Sequence, residues 1–367
     1  MNILILNWSD IRHVWAGGSE LYIHELAKRW AKKHKVILFC AQDPDKSLKD
    51  EEIIDKVRVI RRGGRYSVYF FAVYYYFRYL KNQIDFVVDV ENGIPFFTPL
   101  YVRKKKLSIV YHVHGKQFFY ELLFPLSTIG FCLEKYIFPV LYRNIQVLAI
   151  SKTTRRELIK IGFSKQNIHL VFPGLSNVRK GGRLIKYKKP TILYLGRIKR
   201  YKRVNLLVDV FQKVNKINPK VRLIIAGWGS EAPFISDFVM KNKLRKSIDI
   251  LGPVSEREKA ELYTKSWIFI NPSLHEGWGI SVIEANAYRT PAIGFRVPGL
   301  SDSIVNNKTG YLCLDEKDMV RKILYIIEND KIRTELSVNA LAWSKKFDWD
   351  LSASQGQALI EKIASKK

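Results

Sequence analysis

Short apolar runs alternate with stretches of helical period from one end of the chain to the other. ILILN at residues 3–7 and KVILFC at 35–40 are runs of buried-strand type, and between them SELYIHELAKRWAKKH carries apolar residues at helical spacing. There Leu21, Leu26, Ala27 and Trp30 share one face and Ser19 is the expected N-cap. KVRVIR, DFVVDV, LSIVYHV and IQVLAIS continue the strand series, and residues 152–161 read as a helix leading to IHLVFPG. The Pro173-Gly174 turn and the polar stretch SNVRKGGRLIKYKKP read as a domain linker. The pattern then restarts. TILYLGR, VRLIIAGWG, SIDILGPV, SWIFINPS, PAIGF and TGYLCL read as strands, and RVNLLVDVFQKVNKIN is a helix with Val204, Leu207, Val208, Phe211 and Val214 on one side. Three helices are expected at the C-terminal end, in KDMVRKILYIIEND, KIRTELSVNALAWSKKF and DWDLSASQGQALIEKIASKK.

Strands separated by helices indicate doubly wound parallel sheets, and the restart indicates two of them. The expected division is 1–174, 175–345, and a final helix at 346–367 packing back on the first domain. Two Rossmann-like α/β domains are expected to face one another across a cleft at the carboxyl ends of their strands. A length of 367 residues agrees with two domains, and 47% hydrophobic with 26% charged residues are globular values.

The net charge of +28 calls for an anionic partner: nucleic acid, a lipid surface or an anionic small substrate. Tyr and Phe interleave with Arg and Lys in YSVYFFAVYYYFRYLKN, and Arg103 to Lys106 form a basic run. Residues 118–144 are very apolar but are interrupted by Glu121, Pro125, Glu134, Lys135 and Pro139. No stretch approaches the roughly 20 uninterrupted apolar residues of a spanning helix. A basic, aromatic surface lying on an anionic bilayer fits better, since each Lys or Arg near such a leaflet contributes roughly 1 kcal/mol. The expected location is therefore cytoplasmic and peripheral on the membrane, with no nucleic acid bound. Cys40, Cys132 and Cys313 are scattered without metal spacing and read as reduced thiols, and MNILILNWSD reads as a first strand rather than a leader.

The most informative stretch is NPSLHEGWGISVIEANAYRTPAIGF, where a strand runs through a glycine-punctuated loop into a helix. Glu276 lies in the loop and Glu284 in the helix. If all were helical they would stand about 12 Å apart, too far to share a proton but suited to the two ends of an elongated ligand. Gly277, Trp278 and Gly279 lie between them, and the glycines let backbone approach a ligand. A helix start near Ile280 offers free N–H groups to an anion. A sugar, a diphosphate and a ribose would fit in that order. Neither GWGSEA nor EGWGIS is a dinucleotide fingerprint, because the third glycine is absent.

This stretch closely resembles the E-x7-E motif of retaining GT-B glycosyltransferases of family 4, the glycosyl transferases group 1. Further motifs carry the resemblance along nearly the whole chain. In GRIKRYKRVNLL, Arg197 and Lys202 match the pair that neutralises a departing nucleotide diphosphate; one well-placed donor lowers such a barrier by about 3–4 kcal/mol. His114, in YHVHGK, matches a strand-end His that contacts the donor sugar, and Gly17-Gly18 match a loop near the donor phosphates and the acceptor. Gly227 matches a G-x-G strand end near the nucleotide. The resemblance implies that Glu276 holds sugar hydroxyls and Glu284 the ribose, with an acceptor near Gly17-Gly18 and Asn92, Phe96 and Phe97. It implies a nucleotide-sugar donor, a lipid-linked or glycan acceptor, no cofactor and no required metal. The formal DxD strings at Asp43 and Asp348 read as structural, and a metal site built on His112 and His114 finds no third ligand at suitable spacing. Two departures touch the nucleotide pocket: Tyr288-Arg289-Thr290-Pro291 replaces small-Gly-Thr-Pro, and VPGLSD at 297–302 replaces G-G-x-P-E. The rival readings are another GT-B enzyme, such as a nucleotide-sugar epimerase, a basic nucleic-acid-binding protein, and a non-catalytic scaffold.

Overall fold

A computed structural model describes residues 1–175 and 185–366; the remainder of the expected linker, 176–184, lies outside the described residues. The chain divides into two compact units, Met1–Gly174 with Phe347–Lys367, and Leu175–Lys346.

Unit 1 is built on eight strands: β1 Asn2–Leu6, β2 Lys35–Cys40, β3 Glu51–Ile54, β4 Val57–Arg61, β5 Phe86–Glu91, β6 Lys105–Val110, β7 Gln146–Ala149 and β8 Ile168–Leu170. Their order in the sheet is β3-β4-β2-β1-β5-β6-β7-β8. All neighbours are parallel except β3 and β4. That antiparallel edge strand is a departure from the expected all-parallel sheet. Its sequence, EEII, carries no buried run because only Ile54 is buried. The inner strands Ile3 to Leu6 and Phe86 to Val90 are almost entirely out of solvent, as a sheet covered on both faces requires.

The helix Gly18–Trp30 buries Tyr22, Ile23, Leu26, Ala27 and Trp30. Its N-cap is Gly17, not Ser19 as expected. The Glu20 carboxylate accepts from Gly17 N at 2.9 Å and Ser19 Oγ at 2.8 Å, so Ser19 bonds sideways and the helix starts two residues earlier. The terminal helix Trp349–Ser365 belongs to unit 1, where Trp30 Nε1 donates to Ala353 O at 2.9 Å. The apolar stretches become short helices, Val68–Tyr75, Phe118–Glu121, Leu126–Cys132 and Phe138–Tyr142, joined in places by wider π-helical turns. No helix among the described residues is long and apolar enough to cross a membrane.

Unit 2 contains β9 Thr191–Leu195, β10 Arg222–Ala226, β11 Ile248–Gly252, β12 Ile268–Asn271, β13 Ala292–Phe295 and β14 Gly310–Cys313, in the order β11-β10-β9-β12-β13-β14, all parallel. One face packs on the helices Val204–Ile217 and Glu316–Glu328 through Leu207, Phe211, Met319 and Ile323. The other packs on Glu256–Lys265 and Ile280–Ala287 through Tyr263, Val282 and Ala285.

Candidate active site

In an open parallel sheet, ligands bind beyond the carboxyl ends of the strands where the winding reverses. In unit 2 that point lies between β9 and β12. β9 leads into the loop with Arg197 and Lys202, and β12 into the loop with Glu276. The topology thus brings together residues 74 positions apart: Lys202 Nζ donates to Glu276 Oε1 at 2.5 Å. Asn271 Nδ2 and Ser273 Oγ donate to the same oxygen at 3.0 and 2.8 Å. Burial pushes the Glu276 carboxyl up, but the Lys202 ammonium and the hydrogen bonds more than offset this and hold it below the usual range. Burial likewise lowers Lys202, and Glu276 raises it beyond its ordinary value.

The loop of Gly277 and the buried Trp278 runs to Gly279, whose φ of 84° suits a residue without Cβ. Gly279 caps the helix Ile280–Ala287, so the expected start at Ile280 is where the free N–H groups lie. Glu284, one turn in, accepts from Lys259 Nζ and Tyr263 OH, both at 3.0 Å. Glu276 and Glu284 therefore stand in separate polar settings.

Arg197 donates to Tyr201 OH at 3.2 Å, and its own carbonyl accepts from Tyr194 OH at 2.7 Å. Gly227 follows β10 with φ 140°, and a Cβ there would lie 1.8 Å from Gly196 O. Its glycine thus serves the approach of two strand ends and supports the Arg197 loop from behind. Both departures from the family pattern lie against the acids. Glu276 N donates to Pro298 O at 3.2 Å, and Tyr288 stacks on Tyr263, the partner of Glu284.

In unit 1 the winding reverses between β1 and β5. The loop after β1 ends at half-buried Gly17, and exposed Gly18 opens the helix. The loop after β5 carries Asn92, whose Nδ2 donates to Glu20 Oε1 at 3.5 Å, while Ser9 Oγ donates to the same oxygen at 2.9 Å. Of the expected acceptor-side residues, Gly17 and Asn92 thus meet on Glu20, which the sequence reading missed because Gly17 is not the Ser or Thr that marks a capping box. Phe96 requires correction. It is 3% exposed and packs on Tyr69 at 4.9 Å, so its side chain is core and offers nothing to an acceptor. Fully buried Asp89 fixes this loop, accepting from Phe96 N, Thr98 N, Thr98 Oγ1 and Tyr142 OH. Phe97 is half-buried in a left-handed conformation, φ 53°.

His114 follows β6, the neighbour of β5; its ring stacks on Phe118 at 5.1 Å and lies tilted against that of His112 at 4.0 Å. The group that the fold brings to His114 does not include His112. Glu134 Oε1 lies 3.3 Å from His114 Nδ1, and Glu91, His114 and Glu134 offer ligand atoms within 4.8 Å of one another. Spacing hid this because the three residues come from a strand end, a loop and a later helical turn. Asp43 accepts from Val14 N at 2.8 Å, and Asp348 from Asp350 N and Leu351 N, so both DxD strings hold backbone.

Each unit is a doubly wound α/β sheet with polar and glycine residues gathered at its own switch point. The family model for Glycosyltransferase Family 4 matches residues 16–177, and that for Glycosyl transferases group 1 matches residues 179–343. The chain belongs to this family of GT-B glycosyltransferases. It is 33% identical over 174 residues to an uncharacterized glycosyltransferase of Methanocaldococcus jannaschii, covering 47% of this chain and 48% of that one. It is 26% identical over 277 residues to the poly(ribitol-phosphate) alpha-N-acetylglucosaminyltransferase of Staphylococcus aureus, covering 73% and 54%. It is 28% identical over 175 residues to the alpha-monoglucosyldiacylglycerol synthase of Acholeplasma laidlawii, covering 47% and 44%. The matched part spans about half the length of these curated relatives. Among solved structures, sucrose-phosphate synthase of Thermosynechococcus elongatus is similar in fold, with a TM-score of 0.79 and 20% identity over all of both chains. Anabaena HepE in complex with UDP-glucose gives 0.77 and 15%, covering 99% of this chain and 100% of that one.

Proposed function

We propose that the protein is a retaining glycosyltransferase that moves a sugar from a nucleotide-sugar donor to a hydroxyl or phosphate acceptor. The observation that carries this reading is the Lys202–Glu276 pair at the switch point of unit 2, beside Arg197 and the helix start at Ile280. A departing diphosphate needs fixed positive groups where its charge develops, and Arg197, Lys202 and the N–H groups near Ile280 supply them. Glu276, already ionised, accepts from sugar hydroxyls, while Glu284 accepts from the ribose. His114 orients the sugar. In the retaining course, the leaving diphosphate takes the acceptor's proton on the face it departs from, so no basic side chain or metal ion is required.

Uridine diphosphate sugars are the first donors to test, because HepE is solved with UDP-glucose. A lipid-linked glycan or glycolipid acceptor at an anionic membrane face accords with the glycolipid synthase among the relatives and with the surface of unit 1. There Phe70, Tyr74, Phe77, Leu123 and Phe124 are exposed, the last two at 86% and 83%, in a chain of net charge +28. The test is a panel of UDP, GDP and ADP sugars, read by thermal shift and by transfer to lipid acceptors, on wild type and Glu276→Ala. Stabilisation by one nucleotide series and transfer lost in the variant support the reading. Donor conversion without any acceptor would make the protein an epimerase. A shift only with oligonucleotides, steep in salt and indifferent to Glu276→Ala, would make it a nucleic-acid-binding protein.

A further inference from the structure

Tyr201, Lys202 and Arg203, just ahead of the helix Val204–Ile217, each hold the loop that carries Glu276. The Tyr201 carbonyl accepts from Leu274 N at 2.9 Å. Lys202 Nζ donates to Glu276 Oε1. Arg203 Nε donates to Pro272 O at 3.0 Å, and its guanidinium carbon stands 4.4 Å from the centroid of the Phe295 ring at the end of β13. This last grip is held against resistance. Arg203 caps the helix with φ 51° and ψ 41°, a left-handed conformation that disfavours any residue with a Cβ. Burial lowers its guanidinium from its ordinary value, and Glu316, itself paired with Lys213, only partly offsets that. Backbone strain of this kind persists only where the surroundings over-determine it, and it gathers at ligand clamps.

What the surroundings hold is one peptide plane. The oxygen of the Pro272–Ser273 peptide accepts from Arg203, and its N–H, on Ser273, donates to Asn271 Oδ1 at 3.1 Å. Both sides of the plane are therefore fixed. Flanking it are the two neutral donors to Glu276, Asn271 Nδ2 at 3.0 Å and Ser273 Oγ at 2.8 Å. Pro272 has no N–H of its own with which to steady the turn. Rotation of this plane would shift Ser273 and release the Asn271 side chain, so the bond from Arg203 limits where the Glu276 carboxylate can stand.

We propose that Arg203 is a positioning residue for the donor site: by gripping the Pro272 carbonyl from the face of Phe295, it fixes Glu276 against Lys202. The inference rests on the reading of Lys202 and Glu276 as the pair that meets the donor. Neighbouring side chains on extended backbone point to opposite sides. The left-handed turn at Arg203 instead sends two of them into one loop, Lys202 to the carboxylate and Arg203 to the carbonyl of Pro272. Phe295 is only 5% exposed, so the grip is anchored on a core side chain.

Arg203→Gly removes the side chain and relieves the backbone, so this variant should fold with a Tm near that of wild type. Arg203→Lys restores a cation and a donor without the planar guanidinium. By hydrogen exchange on the substrate-free protein, residues 272–276 should exchange faster in Arg203→Gly while residues 208–217 keep their protection. Arg203→Lys should recover part of the difference. With whichever of UDP-, GDP- and ADP-glucose is turned over, kcat and kcat/KM should fall together in Arg203→Gly by about 10- to 100-fold, the signature of misplaced transition-state contacts. Here too Arg203→Lys should recover part of the loss. Unchanged exchange at 272–276 would overturn the proposal, and so would wild-type kinetics in Arg203→Gly. Protection lost evenly across unit 2 would overturn it as well, because Arg203 would then serve the fold rather than the loop. If none of these donors is turned over, the functional reading fails, while the exchange comparison still decides whether Arg203 governs the Glu276 loop.

Discussion

Lys202 Nζ lies 2.5 Å from Glu276 Oε1, with the two side chains only 15% and 12% exposed. Enclosed pairs are costly to desolvate, and well-packed apolar residues would serve stability as well or better. This pair also sits where the β9–β12 reversal opens a binding place, and it holds a cation and an anion ready to exchange partners. A diphosphate arriving at Lys202 and sugar hydroxyls arriving at Glu276 would each replace the other partner's share of hydrogen bonds. On the proposed reading, it is the ligand rather than the fold that accounts for the cost of the pair.

A double-mutant cycle separates those contributions. Lys202→Met and Glu276→Gln should each cost up to about 3–5 kcal/mol, because each leaves a polar group buried without its partner. The double variant should cost less than the sum, by at least about 1 kcal/mol. Transfer should fall by about 100-fold or more in every variant, including the double. Urea midpoints and donor kinetics read both quantities. Additive stabilities would show that the two side chains do not depend on each other.

The pair also sets a response to acid. Burial raises the Glu276 carboxyl, Lys202 and the hydrogen bonds from Asn271 and Ser273 together lower it further, and the net position is below its ordinary 4.5. A lowered carboxyl contributes stability that is present above the unfolded value and is lost as pH falls through the folded one. Between pH 5 and 3, wild type should therefore lose Tm more steeply than Glu276→Gln. Equal slopes would mean that Glu276 is not ionised in the folded protein.

Much of the fold and of the site is legible in the sequence, and the exceptions have physical causes. Strands such as ILILN and DFVVDV are continuous apolar runs because the inner strands are covered on both faces. The loop acids were legible from their spacing across a glycine-punctuated loop entering a helix, and the structure gives Gly279 there a positive φ. β3 was not, since an edge strand with one buried residue carries no apolar run. The partners Asn271, Ser273, Lys259 and Tyr263 were missed because a side-chain hydrogen bond leaves no spacing signature. Glu91 and Glu134 were missed for the same reason, being 43 residues apart by number and joined only by adjacency to β6. Phe96 was misassigned because an apolar residue in a loop looks alike whether it faces ligand or core.

The surface of unit 1 gives a prediction independent of the catalytic groups. Leu123 and Phe124 are 86% and 83% exposed, so replacing both with Ser removes almost no packing. Tm should stay within about 1 °C. If these side chains enter a bilayer, each contributes up to about 1.5–3 kcal/mol of burial, and the double variant should partition at least about 10-fold less onto anionic vesicles. Wild-type binding should weaken with salt, since the +28 charge contributes through screened attraction. Undiminished flotation of the double variant would remove these residues from any membrane contact.

Gly227 tests whether the support of the Arg197 loop is rigid. An L residue there has φ 140° to contend with, and its Cβ would stand 1.8 Å from Gly196 O, a backbone atom that cannot swing aside. Gly252 is the matching control, with φ 71° and nothing within 4 Å of an added Cβ. Gly252→Ala should cost about 1 kcal/mol, the strain of the left-handed region alone. Gly227→Ala carries strain and collision together, so it should cost at least about 2 kcal/mol more by chemical denaturation. Relief of the collision requires the strand ends at Gly196 and Gly227 to part, which carries Arg197 away from Lys202. Nucleotide-sugar stabilisation should therefore fall in Gly227→Ala and persist in Gly252→Ala. Equal costs in the two variants would mean that the loop yields freely, and Gly227 would then lose its role as the fixed support beneath Arg197.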